Sequence, residues 1–292
     1  MASGFFALLD DIAALMDDVA VLSKVTTKKT AGILGDDLAV NAEKASGFVS
    51  SRELPVLWAI TKGSFLNKLI ILPIAFLLSA FLPAAVTIIL VLGGIYLAFE
   101  GAEKIYEYFV PHTHEDNLKL DVTEVPSEEE ILQLEQSKVK SAIITDFILS
   151  VEIVIIALGA VLEQTLLIQI IVVSIVAIIA TVGVYGIVAL IVRMDDFGLK
   201  LVEKSNGTGF MHQFGTILVG ALPYVIKSLS VIGTIALLLV SGGIFAHNID
   251  FFHHILASWP AIIREFLIGL AIGVFAVVIF KAVLWVVGMV RG

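Results

Sequence analysis

Two carboxylates lie inside an apolar stretch where a charged group is costly. Asp146 and Glu152 are six residues apart in TDFILSVEIVIIALG, and no lysine or arginine occurs between Lys140 and Arg193. A carboxylate inside a membrane-spanning helix must pair with a cation, face a wet cavity or take up a proton. We therefore predict that Glu152 serves in a substrate or ion pathway. Asp146, nearer the end of the span, either joins that pathway or pairs locally.

Two lysines in the later apolar segments are candidate partners for these acids. Lys227 follows Pro223 in ALPYVIKSLS, and Lys281 lies in the last apolar stretch. A buried pair between Glu152 and either lysine would neutralise both charges, and its loss would be strongly destabilising. The same lysines also suit a transport pathway, because a proline-broken helix can expose its backbone to a ligand. Both interpretations stay open.

Adjacent aspartates recur along the chain, at 10–11, 17–18, 36–37 and 195–196. Neighbouring carboxylates can hold Mg²⁺ or Ca²⁺ through oxygen. The candidate metal ligands are the two pairs on the first helix, seven residues apart: Asp10, Asp11, Asp17 and Asp18. The alternative is a solvated polar face that pairs with neighbouring lysines.

The chain lacks the usual motifs of catalysis and cofactor binding. It has no cysteine, which excludes disulfides, zinc thiolates and thiol catalysis. No glycine-rich phosphate loop, Ser-His-Asp arrangement or HExxH appears, and HTHED at 112–116 is at most a loose metal site. We expect no enzymatic activity, no cofactor and no nucleic-acid partner.

The composition assigns these residues to a membrane protein. Hydrophobic residues make up 59% of the 292 residues, and the mean hydropathy is +1.02. Soluble domains contain about 45–50% apolar residues. We predict an all-α polytopic transmembrane bundle with an N-terminal amphipathic cytoplasmic helical region.

The apolar and polar stretches predict six segments along the chain. These are an N-terminal region over 1–64, a membrane hairpin over 65–101, an acidic loop with a helix over 102–142, a second hairpin over 143–192, a connector over 193–213 and C-terminal membrane helices over 214–292. Pro73 and Pro83 offer breaks in the first hairpin. The stretch 214–248 is long enough for either one crossing or two, so six or seven crossings are expected.

Basic residues predict the orientation. Residues 1–68 hold seven Lys or Arg, 102–140 hold four and 193–212 hold three. Because cytoplasmic loops are enriched in Lys and Arg, all three segments are expected on the cytoplasmic side, together with the N-terminus.

An internal repeat is a further possibility. LVLGGIYLA at 90–98 resembles LVSGGIFA at 239–246, with a constant offset of 149 residues. Repeats are common in transporters, whose binding sites lie at the repeat interface. The alternative is a chance match of apolar sequence in which Gly-Gly serves close helix packing.

Several blocks together resemble one known family. LLDDIAALMDD, KKTAGILGDDLAVNA, RELPVLWAITKGSFLNK, LAFEGAEK, TDFILSVEIVIIALG and VGVYGIVALIVRMDD occur in order along nearly the whole chain. They resemble the YedI family of bacterial inner-membrane proteins, a domain of unknown function. The resemblance implies a bacterial inner-membrane location and no particular substrate.

Three functions fit these observations. The first is a transporter or channel-like protein for a small solute or ion that uses the intramembrane charges. The second is a non-transporting protein that organises lipid or partners, including further copies of itself. The third is a metal-dependent membrane enzyme that uses the aspartate pairs. The lipid bilayer is a partner in all three.

Overall fold

The computed structural model describes residues 2–45, 50–110, 128–205, 209–249, 251–252 and 258–291, and nearly all of these residues are helical. Long apolar runs favour helices because a helix satisfies its backbone polar groups internally, as a spanning segment must. The helices are α1 (Ala2–Ala31), α2 (Leu34–Ala45), α3 (Ser50–Phe81), α4 (Pro83–Phe109), α5 (Glu128–Ala160), α6 (Leu166–Val192), α7 (Met194–Lys204), α8 (Phe210–Asn248) and α9 (Ala261–Arg291).

Six segments within the described residues are long and apolar enough to cross a membrane. They are 52–81, 83–109, 135–160, 166–204, 210–248 and 261–287, carried by α3, α4, α5, α6 with α7, α8 and α9. The predicted polytopic helical bundle is thus confirmed. The stretch 214–248 lies in the single helix α8, which favours six crossings over seven.

The first hairpin is longer than its sequence indicates. Its first candidate span begins at Arg52, well before the predicted boundary at 65, and its second ends at Phe109. Arg52 and Lys62 interrupt the apolar pattern at the start of α3 and obscure this boundary. A helix starting near 128 and continuing into the second hairpin is found as α5.

Of the three prolines that the sequence suggests as breaks in apolar stretches, only one marks a break. Pro83 begins α4 directly after the turn at Leu82, where a missing N–H removes no helical hydrogen bond. Pro73 and Pro223 lie inside α3 and α8, which continue through them. Neighbouring helices and side chains can re-satisfy the backbone groups that such a proline frees.

The connections define two ends of the bundle. We call the end with Leu82, the turn at 161–165 and the start of α9 the turn end. We call the other end, where α3 begins and α6 ends, the loop end.

Together, the two N-terminal helices extend from the turn end to the loop end. Val19 of α1 packs with Val86 and Val161 near the turn end. Ala42 of α2 packs with Val192 at the loop end. The region expected to be peripheral therefore contributes to the bundle interior, although neither α1 nor α2 qualifies as a spanning segment.

The buried course of α2 depends on a close approach to α8. A Cβ atom at Gly233 would lie 2.5 Å from the backbone nitrogen of Asp36, so only glycine permits this contact. Asp36 and Asp37, in the first turn of α2, are consequently buried in the bundle. A helix N-terminus favours carboxylates through its partial positive charge.

The two Gly-Gly motifs of the possible repeat contact each other. Ser241 Oγ donates a 2.8 Å hydrogen bond to the carbonyl oxygen of Gly94, and a Cβ at Gly94 would crowd Phe245. This contact favours the close-packing interpretation. The repeat itself stays a prediction.

Candidate functional site

A fully hydrogen-bonded carboxylate lies between α3, α5 and α6. Asp146 Oδ1 accepts hydrogen bonds from Ser64 Oγ and Tyr185 OH, at 2.8 and 2.7 Å. Its Oδ2 accepts from Asn67 Nδ2 and Ser150 Oγ, at 3.0 and 3.2 Å. All five side chains are buried. Four hydrogen bonds offset the cost of removing this carboxylate from water. Asp146 therefore has the surroundings of a residue that stabilises the packing of the helices.

Lys68 completes this network, which we call the Asp146 network. Its Nζ donates to Ser64 Oγ at 2.9 Å and to Ser150 Oγ at 2.8 Å. Each hydroxyl thus accepts from the ammonium group and donates to Asp146, which uses both capacities of a serine. Lys68 and Asp146 balance each other through these two hydroxyls.

The Asp146 network reaches α2 through two further contacts. Tyr185 OH also lies 3.3 Å from Asn41 Oδ1. Asn41 Nδ2 in turn donates to the backbone oxygen of Asp37 at 2.8 Å. Asp37 therefore stands between this network and a second group of charges.

The second group, which we call the acidic cluster, consists of Asp36, Asp37, Glu100, Glu152 and Lys104. Lys104 Nζ pairs with Asp36 Oδ1 and, at 3.1 Å, with Glu100 Oε1. Five buried carboxylate oxygens in the cluster have no hydrogen-bond partner among the described residues: Asp36 Oδ2, Asp37 Oδ1, Glu100 Oε2 and both oxygens of Glu152. Such atoms are costly unless a proton, cation or water satisfies them.

Glu152 is buried among the helices, as expected, with 8% of its surface exposed. It lines a cavity of about 50 Å³ together with Leu90, Gly93 and Ile156. This space is sufficient for water, which needs about 10–15 Å³ of accessible volume. Glu152 is close enough to Glu100 for the charge of that carboxylate to act on it.

The two groups together carry more acid than base. They contain five carboxylates and the two ammonium groups of Lys68 and Lys104, so full ionisation would leave a net charge of −3. Burial, followed by the charges of Asp36 and Asp146, raises the pKa of Asp37 to about 8. Its carboxyl group therefore holds a proton in a large fraction of molecules at neutral pH.

Of the two interpretations left open for Lys227 and Lys281, the pairing of either lysine with Glu152 is wrong. Lys227 Nζ lies 5.6 Å from the ring centroid of Tyr108, and Lys281 Nζ lies 3.3 Å from that of Tyr106. Both rings are near the loop end of α4, whereas Glu152 faces its middle. The lysines instead make cation–π contacts.

Sequence reasoning noted the adjacent aspartates Asp36 and Asp37 but did not place them in the interior. It missed the other residues that complete both groups: Ser64, Asn67, Lys68, Glu100, Lys104 and Tyr185. Lys68 and Lys104 flank the first apolar stretch, so by sequence they count among the basic residues of the polar segments. One signal was present, since Ser64 and Lys68, like Asp146 and Ser150, are four residues apart on one helix face.

The aspartates proposed as metal ligands lie elsewhere. Asp10, Asp11, Asp17 and Asp18 are exposed on α1. In the described part of the chain, no three His, Cys, Asp or Glu side chains are placed to hold a metal ion. Metal binding by these four stays a prediction, and HTHED at 112–116 lies outside the described residues.

A larger cavity of about 520 Å³ opens at the turn end, and we call it the vestibule. Its polar lining comes from Lys29, Glu163, His247, Asn248 and Glu265. Glu163 lies in the exposed turn between α5 and α6. The vestibule shares two wall residues, at positions 90 and 156, with the cavity of Glu152.

Comparison with known proteins identifies a family. No curated protein and no solved structure matches the chain. Residues 3–292 match the family described as a protein of unknown function, DUF808, which is also known as YedI. The match covers nearly all of the 292 residues, so the chain belongs to the DUF808 family.

Proposed function

We propose that this integral membrane protein moves a small ion or solute across the bacterial inner membrane and couples that movement to protons. Glu152 and Asp37 are the proton-carrying groups of this proposal. The observation that carries it is the set of buried carboxylate oxygens in the acidic cluster that lack a partner among the described residues.

Charge balance supports a coupled proton or cation. Ionisable groups at membrane depth are expensive, and they commonly mark ion pathways and proton relays. An interior with five carboxylates and two lysines must bind positive charge from outside the chain or hold several acids neutral. The Asp37 carboxyl, with a pKa of about 8, changes its charge in the physiological range.

The backbone of α2 supports transport as well. The break between α1 and α2 at Gly32 and Ile33 lies within the bundle, where Ile33 is fully buried against Leu237. Irregular backbone at membrane depth is tolerated where protein or a water-filled cavity surrounds it, and broken helices form the sites of many transporters. Here the break is followed directly by Asp36 and Asp37.

Liposome flux assays test the proposal. Purified protein is reconstituted with an internal pH dye, and gradients of ions and metabolites are imposed in turn. We expect at least one gradient to drive proton movement, and Glu152→Gln and Asp37→Asn to abolish it. Glu203→Gln, which changes an exposed acid on α7, is the matched control. Absence of proton-coupled flux with every solute would contradict the proposal.

A groove on α8 favours the alternative, a protein that organises lipid or further copies of itself. The groove has a volume of about 530 Å³ and includes Gly220, Ala221 and Tyr224. Small residues on a membrane helix allow another helix to approach closely. This alternative predicts that Gly220→Leu alters self-association, while Glu152→Gln has no effect.

A further inference from the structure

Two cavities meet at the same pair of side chains. Leu90 of α4 and Ile156 of α5 line both the vestibule and the small cavity that contains Glu152. Leu90 is 8% exposed and Ile156 is 9% exposed, so both are within the packed interior. They form the wall between a space lined by polar side chains and a buried carboxylate.

The two cavities differ in size and lining. The vestibule, at about 520 Å³, is large enough for many waters and presents acids, an amide, a lysine and a histidine. The cavity of Glu152, at about 50 Å³, is otherwise lined by apolar residues and Gly93. A short apolar wall between two spaces that can hold water excludes ions until it is displaced, because the constriction dewets.

We infer that the vestibule is the aqueous entrance through which Glu152 exchanges protons with the turn-end side, and that Leu90 and Ile156 form its hydrophobic gate. This inference rests on the proposed function, since it assigns an access route to the same carboxylate. The vestibule's two glutamates and one lysine give it a net negative charge when His247 is neutral, which favours cations over anions.

The helix packing around the gate supports this role. A Cβ atom at Gly159 would lie 2.8 Å from Cδ2 of Leu90, so the absence of a side chain there leaves room for the leucine. At Gly93, next to Glu152, a Cβ atom would meet nothing within 4 Å. Leu90 is therefore tightly packed against α5, whereas the space at Gly93, which lines the cavity of Glu152, is open.

The cysteine-free chain allows a direct test by labelling. Val240→Cys places a thiol in the vestibule, and Ile155→Cys places one in the cavity of Glu152. Each variant is reconstituted in vesicles and exposed to a membrane-impermeant cationic methanethiosulfonate. We expect modification at Val240→Cys from the turn-end side and at least about tenfold slower modification at Ile155→Cys, because access limits thiol reactivity.

Removing the gate should abolish this difference. Leu90→Ala combined with Ile155→Cys is expected to react at a rate close to that of Val240→Cys. Leu92→Ala, which shortens an exposed side chain on the same helix, is the matched control and should change nothing. If Leu90→Ala fails to fold, Ile156→Val provides the same test with a smaller loss of packing.

Three results would overturn the inference. They are an unreactive Val240→Cys, an Ile155→Cys that reacts rapidly with the gate intact, and an Ile155→Cys that stays unreactive in a folded gate variant. Labelling requires no transport. Flux loss with intact labelling would therefore contradict the proposed function alone, and failed labelling with intact flux would contradict the entrance alone.

Discussion

The Tyr185 hydroxyl lies 2.7 Å from Oδ1 of Asp146 and joins α6 to α5 inside the bundle. Six residues further along α5, Glu152 is buried to a similar extent, yet its oxygens accept no hydrogen bond from the described residues. The two acids share a helix and an apolar sequence context, but one is compensated and the other is not. We therefore expect substitution of Asp146 to affect mainly stability, and substitution of Glu152 to affect mainly proton movement.

Asp146→Asn should destabilise the protein. The amide cannot balance Lys68, and breaking a buried ionic network by removing one partner typically costs about 3–5 kcal/mol. We expect a lower thermal unfolding midpoint in detergent, partly restored when Lys68→Met is added. Tyr185→Phe, which removes one donor, should cost less, about 1–3 kcal/mol. Wild-type stability of Asp146→Asn would contradict the anchoring role.

Asp37 should make stability fall as pH rises. Its folded-state pKa of about 8 exceeds the ordinary value of 3.8, so the folded protein binds the extra proton between these values. The stabilisation is complete below about pH 4 and is lost progressively up to about pH 8. Relative to wild type, Asp37→Asn should gain stability as pH rises through this window. Unfolding midpoints from pH 5 to 9 provide the measurement, and a difference that does not change with pH would reject the titration.

Two glycines should respond differently to the same small change. Gly233→Ala forces a Cβ against the backbone of Asp36 and should displace α2, at a cost of about 1–3 kcal/mol or more. Gly93→Ala adds a methyl group to open space beside Glu152 and should leave stability nearly unchanged. Thermal unfolding of both variants compares them directly. Equal loss of stability would show that α2 does not depend on close contact with Gly233.

The two ends of the bundle should face opposite sides of the membrane. We expect Ser50→Cys and Ser205→Cys, at the loop end, to be labelled from the cytoplasmic side, and Glu163→Cys from the other. The side of the N-terminus is a separate prediction. The sequence predicts the cytoplasmic side, whereas α1 packs near the turn end through Val19. Labelling of Asp10→Cys tests which side is correct. Labelling of Ser50→Cys and Glu163→Cys from one side would contradict the six-span arrangement.

The class of fold was predictable because long apolar runs admit few structures in lipid. The burial of Glu152 followed from the same argument. The residues that surround Glu152 could not be predicted in this way. Lys68 and Lys104 lie at the edges of apolar runs, and they reach the interior only when α2 packs between the spans. The position of α2 depends on one backbone contact, between Gly233 and Asp36, which no periodicity in the sequence indicates.

The most direct test of the central claim is the behaviour of Glu152→Gln in proton flux and folding measured on the same preparation. Since Glu152 has no partner among the described residues, its neutral replacement should keep the wild-type unfolding midpoint or raise it. In liposomes, the same variant should abolish the pH-dependent flux seen with wild type and with Glu203→Gln. A folded Glu152→Gln variant with unchanged flux across the pH range would contradict the account.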